Sequence, residues 1–287
     1  NLQIVKNQSK TMELLTQNND GFIEANTKTI DLPLLQEQTI IPAFAKDNES
    51  TISHVEFVEN IYDAVYHVFP SEVILDPSVK VSHPIKGRIP EAKGKPAKEL
   101  LEHEKTLYYE RMAFMIPVPG MQVNVNSNLL DLTVGGVRSF NQENLFSKKS
   151  IEKFKIFIGY KNTVCTNLCI ATDGLQNEVR VSSAQELKEA IYILISKFNR
   201  QTQLGNMERM SKYSLSENQF AHLIGKMKMF PHLNKSNQEL IQPLLMNDSH
   251  VSAIVKGYFQ EPNFKRSEQG DINLWNLYNL FTGAVKN

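Results

Sequence analysis

The spacing of apolar residues predicts that the chain changes from strands to helices near residue 175. Between about residues 75 and 172, apolar and polar residues alternate in short runs such as 79–83 and 106–118, which is typical of strands with one buried face. Beyond Gly174, apolar residues recur every three or four positions, as in amphipathic helices. We therefore predict an α+β fold in which a central, mostly antiparallel sheet (about 75–172) precedes a helical C-terminal half.

Two β-hairpins are predicted within this sheet. In the first, apolar residues at 123–125 and 130–134 flank a turn at 126–127. In the second, residues 154–160 and 163–172 read as strands that are joined by a turn at 159–162.

Capping signals predict where several helices begin. Three residue pairs have the Ser-x-x-Glu/Gln spacing that lets a cap satisfy free backbone N–H groups: Ser53 with Glu56, Ser183 with Glu186, and Ser216 with Gln219. The first of these helices is expected to end before Pro70. Further apolar stripes at 251–259 and 274–281 predict two more helices.

The same patterns divide the chain into three parts. Residues 1–50 are polar and acidic, with only scattered apolar groups, and we expect a partly ordered N-terminal arm. Residues 51–175 form the sheet-rich core, and residues 176–287 form a helical part. We expect all three to pack on one core, as one domain overall.

Charge and cysteine content restrict the classes of protein to consider. The 31 basic residues balance the 31 acidic ones, so a nucleic-acid surface would have to be a local patch. No apolar run is long enough for a membrane helix, and no signal peptide is apparent. Two cysteines do not make a disulfide framework, and we expect a cytoplasmic protein without membrane partners.

Neither the cysteines nor the histidines predict a metal site or a cofactor. Cys165 and Cys169 are four residues apart on a predicted strand and therefore about 13 Å apart, too far for one zinc ion or for a disulfide. The seven histidines are scattered, and no known zinc, phosphate-loop or dinucleotide motif is present. We predict no metal and no cofactor.

Two weaker patterns could indicate catalysis or phosphate binding. Asp76, Glu91 and Lys93 follow the order of a metal-dependent nuclease core, but the neighbouring Pro and Gly residues favour a loop where such enzymes have a strand. Gly135–Gly136 could form a phosphate-binding turn, although a bend inside a strand explains it as well. We assign no catalytic residue and favour a protein without enzymatic activity.

The segment from 138 to 161 is the best candidate for a binding surface. It contains six Lys or Arg residues against two Glu, interleaved with aromatic residues. Cations that meet phosphates and rings that stack on bases are the features of sequence-tolerant single-strand binders. The candidate nucleic-acid-binding residues are Arg138, Phe146, Lys148, Lys149, Lys153, Lys155 and Phe157.

A structural explanation of the same segment stays open. Phe154, Ile156 and Ile158 would face the core of a strand, while Lys153 and Lys155 would be solvated on its other face.

Several phrases of the sequence resemble a bacterial domain of unknown function that is abundant in gut anaerobes. They lie at 82–88 (Ser-His-x-Ile-Lys-Gly-Arg), 104–114, 135–145 (Gly-Gly-Val-Arg-Ser-Phe-Asn-Gln-Glu-Asn-Leu), 164–169 (Val-Cys-Thr-Asn-Leu-Cys) and 272–284. The resemblance covers most of the chain from about residue 20 and extends, distantly, to phage/plasmid-like proteins. It implies a role near DNA in mobile elements, but no activity or catalytic residues.

Three functional hypotheses remain at this point. The first is a protein of mobile elements that binds DNA or RNA without catalysis, through the patch at 138–161. The second is a protein-interaction or inhibitor module, which the acidic first 50 residues also suit. The third is the metal-dependent nuclease.

Overall fold

The structure, a computed structural model, describes residues 22, 26–38, 51–125, 128–143, 151–164, 166, 170–234, 246–260 and 272–284. The chain divides into two compact units. Unit 1 comprises Asn1–Val123 and Leu130–Phe198, and unit 2 comprises Asn124–Leu129 and Asn199–Asn287. The expectation of one domain overall stays a prediction.

An antiparallel sheet of six strands forms the centre of unit 1. Its strands are β1 (Lys28–Ile30), β2 (Ser78–Val81), β5 (Arg111–Val125), β6 (Asn128–Ser139), β7 (Glu152–Gly159) and β10 (Leu175–Val181). They lie in the order β1-β2-β5-β6-β7-β10. The α+β class is confirmed, and β5 and β6 are neighbours, as the first predicted hairpin requires.

Two helices cover one face of this sheet: α2 (His54–Val68) and α3 (Ala184–Ser196). The ring of Phe57 on α2 lies 5.2 Å from that of Phe114 and 4.7 Å from that of Phe154, centroid to centroid. Helix α3 packs against α2 and against β10. This helix-covered face holds most of the buried apolar residues of unit 1.

The predicted caps are present at all three helix starts. The Ser53 hydroxyl accepts a hydrogen bond from the Glu56 amide at 3.0 Å, and the Glu56 carboxylate accepts one from the Ser53 amide at 2.6 Å. Ser216 and Gln219 form the same reciprocal pair, whereas the Ser183 hydroxyl accepts from the Glu186 amide and the Glu186 carboxylate accepts from the Ser182 amide at 2.7 Å. These side chains satisfy amide groups that the first helical turn leaves without a partner.

The opposite face of the sheet, called the open face below, carries a smaller apolar cluster. Its buried members are Phe22, Ala113, Met115, Val137, Phe157, Val164 and Ile170. Val164 and Ile170 belong to a separate two-stranded sheet of β8 (Asn162–Val164) and β9 (Ile170–Thr172), and Phe22 forms a bridge with Val164. Among the described residues, these groups pack together on the open face.

The second predicted hairpin is wrong. Strand β7 pairs with β6 and with β10, from Leu175 opposite Ile158 to Val181 opposite Glu152. The segment expected to be its partner contains the short strands β8 and β9, which pair with each other. The sheet therefore extends past residue 172 through β10 and begins before residue 75 with β1.

The predicted strand at 106–118 is divided at Glu110. Its first part, β4 (Lys105–Tyr109), pairs with β3 (Pro84–Arg88) in a sheet of their own, and its second part begins β5. Between β3 and β4 the chain forms 3-10 turns at Pro90–Ala92, Ala97–Glu99 and Glu102–Glu104.

Part of the N-terminal arm joins the core of unit 1. Strand β1 pairs with β2 at the sheet edge, and Ile30 is buried there. It is followed by helix α1 (Leu32–Gln38), in which Leu35 is fully buried. Most of residues 1–25 and all of 39–50 lie outside the described part of the chain.

Unit 2 is built mainly from helices. Its elements are α4 (Arg200–Lys212), β11 (Ser214–Leu215), α5 (Glu217–Met229), α6 (Asp248–Gln260), β12 (Ile272–Asn273) and α7 (Leu274–Ala284). Helices α5, α6 and α7 contribute to one buried cluster that includes Phe220, Ile254, Tyr258 and Leu277. The stripes predicted at 251–259 and 274–281 are confirmed as helical.

Candidate functional site

The structure describes the positions of four of the seven candidate residues. Phe146, Lys148 and Lys149 lie outside the described residues. Arg138, Lys153, Lys155 and Phe157 are described, and the sheet does not bring them to one surface. Arg138 is on the helix-covered face, whereas Lys153, Lys155 and Phe157 share the open face, because side chains alternate along each strand.

The expectation that Arg138 faces outwards is corrected. Its side chain is fully buried, and so are those of its partners Glu143 and Glu152. Arg138 Nε and Nη2 each donate to one oxygen of Glu143 at 3.1 Å, and Nη2 also donates to Glu152 Oε2 at 2.5 Å. Nη1 donates to the carbonyl oxygen of Ile52. Arg138 therefore has no surface for a phosphate.

Aromatic rings enclose the Arg138 guanidinium. Its central carbon lies 4.3 Å from the ring centroid of Phe140 and 4.4 Å from that of Phe154. The Ile52 amide donates to the Glu152 carboxylate at 3.1 Å. The carboxylates and the two rings stabilise the positive charge in a place that water does not reach, which is the arrangement a buried arginine needs.

His54 lies beside this buried cluster. Its Nε2 is 2.7 Å from the carbonyl oxygen of Tyr109, and its ring lies 4.4 Å from that of Phe140. Burial and then the charge of Arg138 lower the pKa of His54 from 6.5 to about 3, although the hydrogen bond to Tyr109 acts in the opposite direction. The imidazole is therefore neutral near pH 7, and Nε2 carries the proton that it donates to Tyr109.

Burial and Arg138 act in opposite directions on Glu143 of the buried cluster. Burial raises the pKa of Glu143, and the charge and hydrogen bonds of Arg138 only partly oppose this effect. One arginine cannot compensate two buried carboxylates fully. Because every polar group of this cluster points inwards, we assign it to the architecture of unit 1.

The expectation that Phe157 faces outwards is also corrected. Its ring is fully buried in the cluster of the open face. It lies opposite Gly135, where an added Cβ would be only 2.6 Å from the Phe157 ring. Gly135 and Gly136 therefore stand inside strand β6 and make room for rings, and they form no turn for a phosphate.

Lys153 and Lys155 are partly exposed, as the structural explanation of the patch predicts, while Phe154, Ile156 and Ile158 are buried on the helix-covered face. On the neighbouring strand, Arg180 lies opposite Lys153 and Glu178 lies opposite Lys155. Directly opposed side chains have Cβ atoms about 5 Å apart, so these four groups form one set. We call Lys153, Lys155, Glu178 and Arg180 the open-face charge cluster.

The electrostatics of the open-face charge cluster are dominated by cations. Arg180 donates to Glu178 Oε1 from Nε at 3.0 Å and from Nη2 at 2.9 Å. These hydrogen bonds lower the pKa of Glu178, and the charges of Arg180, Lys155 and Lys153 act in the same direction, against partial desolvation. Among the described residues, three positive groups thus lie around one carboxylate.

A groove adjoins the open-face charge cluster. It has a volume of about 290 Å³ and is lined by Lys155, Ile170, Gln176, Asn177 and Glu178. Sequence reasoning missed Glu178 and Arg180, because the segment after Gly174 was expected to be helical. The alternation of Val179 and Val181 with charged residues was the signal that could have identified this strand.

The described residues give no support to the nuclease-like pattern or to a metal site. Glu91 lies in the turn Pro90–Ala92 and not on a strand, as the neighbouring prolines and glycines indicated. Among the described residues, no group of three or more His, Cys, Asp or Glu could hold a metal ion. Cys165 and Cys169 lie outside the described residues.

Comparison with known proteins supplies a family but no activity. No helix in the described part of the chain has the length and apolar character that crossing a membrane requires. No curated protein and no solved structure matches the sequence. The resemblance to an uncharacterised bacterial domain is confirmed, while the distant similarity to phage/plasmid-like proteins stays a prediction. One family model, described as "Domain of unknown function, B. Theta Gene description (DUF3871)", matches residues 5–287, and the chain belongs to that family.

Proposed function

We propose that this protein binds nucleic acid without catalysis, through phosphate contacts of Lys153, Lys155 and Arg180. The observation that carries the proposal is the pairing of β7 with β10, which gathers three cations around Glu178 on one partly exposed face. Residues two apart on a strand are about 6.5 Å from each other, so Lys153 and Lys155 can contact successive anionic groups. A cytoplasmic role near mobile DNA belongs to the same proposal.

The contacts would be to the backbone of the nucleic acid and not to its bases. Phe157 is buried and gives no stacking surface, so the π-face contacts of single-strand binders are not available from this residue. Binding that rests on phosphates alone depends strongly on salt and weakly on sequence. We therefore expect duplex and single-stranded oligonucleotides of any sequence to bind.

Fluorescence anisotropy with labelled oligonucleotides of about 20 nucleotides tests this proposal. If three phosphates are contacted, the salt slope is about −2.7 for duplex and about −2.1 for single strands. Raising the salt from about 50 to about 200 mM then weakens binding about 40-fold and about 20-fold, respectively.

The variant that replaces Lys153, Lys155 and Arg180 by Ala should lose this salt-dependent binding. Its matched control is Lys188→Ala with Lys197→Ala, which removes exposed cations from α3 and the residue after it. Wild-type affinity and salt slope in the triple variant, or binding by the wild type that salt does not change, would contradict the proposal.

A further inference from the structure

A second surface of unit 1 lies on the exposed side of α2 and α3, and it is independent of the open-face charge cluster. It contains a groove of about 440 Å³. Asp63, Ala64 and His67 contribute to its α2 wall, and Glu189, Tyr192 and Ile193 contribute to its α3 wall. The lining residues of α2 extend from 60 to 67, which is about 10 Å along a helix, or two turns.

Large apolar side chains are exposed at this groove. Tyr192 is 53% exposed and Ile193 is 52% exposed, and both line it. Tyr66, which is 59% exposed, lies next to the lining residue His67, and the two rings are 6.4 Å apart. Three such side chains near one concave surface make a patch of the kind that proteins use to bind partners.

The polar rim of the groove is acidic. Asp63 stands on the α2 wall and Glu189 on the α3 wall, so each wall carries a carboxylate. Among the described residues, neither carboxylate has an ion-pair partner, and the Glu189 side chain accepts only a neutral hydrogen bond, from Gln185 at 2.9 Å. Glu59, one helical turn before Asp63, adds another exposed acidic group, and Lys188 is the one lysine among the described residues that line the groove.

We propose that this groove binds an amphipathic helix of a protein partner, with apolar residues between α2 and α3 and Lys or Arg along both of its flanks. A groove of two turns between two helices suits apolar anchors spaced three and four residues apart. Basic flanks would meet Asp63 on one wall and Glu189 on the other, which fixes the orientation and speeds association.

The charges on both walls also favour a basic helix over a nucleic acid or a second copy of this chain as the occupant of the groove. A nucleic acid would be repelled by Asp63, Glu189 and Glu59. A second copy of the chain, related by a two-fold axis, would bring this acidic surface against itself. A basic helix meets neither penalty.

A pair of designed helical peptides tests the proposal in the full-length protein. Both peptides carry the same Leu anchors, and their flanking residues are all Lys in one and all Glu in the other. Fluorescence anisotropy should detect binding of the Lys-flanked peptide at least about tenfold tighter than that of the Glu-flanked peptide, a ratio typical of complementary against like charges at a rim. Equal binding of the two peptides would overturn the proposal.

Two variants locate the site. Ile193→Asp places a charge on the apolar wall and should weaken the Lys-flanked peptide at least about tenfold, since Ile193 is exposed and its replacement leaves the core intact. The double variant Asp63→Lys with Glu189→Lys should lose the Lys-flanked peptide and gain the Glu-flanked one. This exchange of preference is the sharper result, because a damaged fold would lose both peptides.

The remaining outcomes also decide the matter. Unchanged binding in both variants, or concentration-dependent dimerisation that Ile193→Asp abolishes, would overturn the proposal, the second result in favour of a second copy as the occupant. The triple variant at Lys153, Lys155 and Arg180 serves as the control and should bind the Lys-flanked peptide like the wild type. The proposals for the two surfaces can therefore fail separately.

Discussion

Arg138 Nη2 lies 2.5 Å from Glu152 Oε2, and neither side chain is exposed. This ion pair connects β6 with β7. It also holds the residue two positions before α2, because the Ile52 amide donates to Glu152 and the Ile52 carbonyl oxygen accepts from Arg138. Buried charges that compensate one another are costly to separate. Unit 1 should therefore be sensitive to the loss of either side chain of this pair.

Replacing Arg138 by Met should destabilise unit 1 by about 3–5 kcal/mol, because the carboxylates of Glu143 and Glu152 would remain buried without a cation. Urea denaturation followed by circular dichroism measures the change in the free energy of unfolding. Adding Glu152→Gln to Arg138→Met should recover part of the loss, since one of the stranded charges is then removed.

Arg180→Ala is the control for Arg138→Met, since it breaks the exposed pair with Glu178 and should cost less than about 1 kcal/mol. A similar small cost for Arg138→Met would mean that water reaches the buried cluster and that our description of it is wrong.

The stability of unit 1 should also depend on the protonation of His54, whose pKa is lowered from 6.5 to about 3. Between these values the folded chain binds fewer protons than the unfolded chain, so the stabilising effect is complete above pH 6.5 and is lost as the pH falls. The loss between pH 6.5 and 4.5 should be about 2–3 kcal/mol. Urea denaturation at both pH values measures it.

The control for this pH effect is His54→Gln, which keeps a donor for the Tyr109 carbonyl but does not titrate. Because Glu143 is present in both proteins, the difference between their free energies of unfolding at each pH reports the contribution of His54 alone. The raised pKa of Glu143 has the opposite sign, since it lowers stability as the pH rises above the ordinary glutamate value of 4.5. Parallel pH profiles for the two proteins would mean that His54 is solvated.

Local patterns were enough to predict the fold class and the three capped helix starts. The caps at Ser53 and Ser216 involve groups only three residues apart, so the sequence alone contains the whole interaction. Strand pairing is different, because the choice of β10 over 163–172 as the partner of β7 depends on contacts that are distant along the chain. A run of alternating residues predicts a strand but not its neighbour.

The candidate site was predicted only in part for the same reason. Arg138 was a candidate for nucleic-acid binding, and Glu152 was only counted among the acidic residues of the segment. Each, however, alternates in phase with buried apolar residues, Arg138 with Val134 and Glu152 with Phe154. A charged residue at a buried position of the alternation indicates an internal ion pair, and its partner can be found only in three dimensions. Lys153 and Lys155 fall at the other phase and are partly exposed, which is the arrangement that the structural explanation of the segment describes.

Gly136→Ala should destabilise unit 1 by about 1–3 kcal/mol, the usual cost of overpacking a core. An added Cβ would lie 2.5 Å from Cζ of Phe57, a ring already packed between Phe114 and Phe154. Thermal denaturation measures the loss, and Phe57→Leu in the same chain should relieve part of it.

Gly205→Ala is the control, since Gly205 lies inside helix α4 with no neighbour within 4 Å and its replacement should be neutral or stabilising. Equal effects of the two alanines would contradict the packing of Phe57.

Glu178→Gln should tighten oligonucleotide binding about three- to fivefold, because it removes one negative charge about 5 Å from the phosphates that the neighbouring cations would contact. The same change replaces the carboxylate that holds Arg180 by a weaker, neutral acceptor, so Arg180 turns more readily towards a phosphate. Because the pKa of Glu178 is lowered, a drop from pH 7 to pH 5 leaves its charge in place and cannot imitate the substitution.

Fluorescence anisotropy of a labelled duplex at both pH values measures these effects, and Glu189→Gln on α3 is the control that should leave affinity unchanged. Weaker binding by Glu178→Gln would instead mean that the carboxylate holds Arg180 in its binding position.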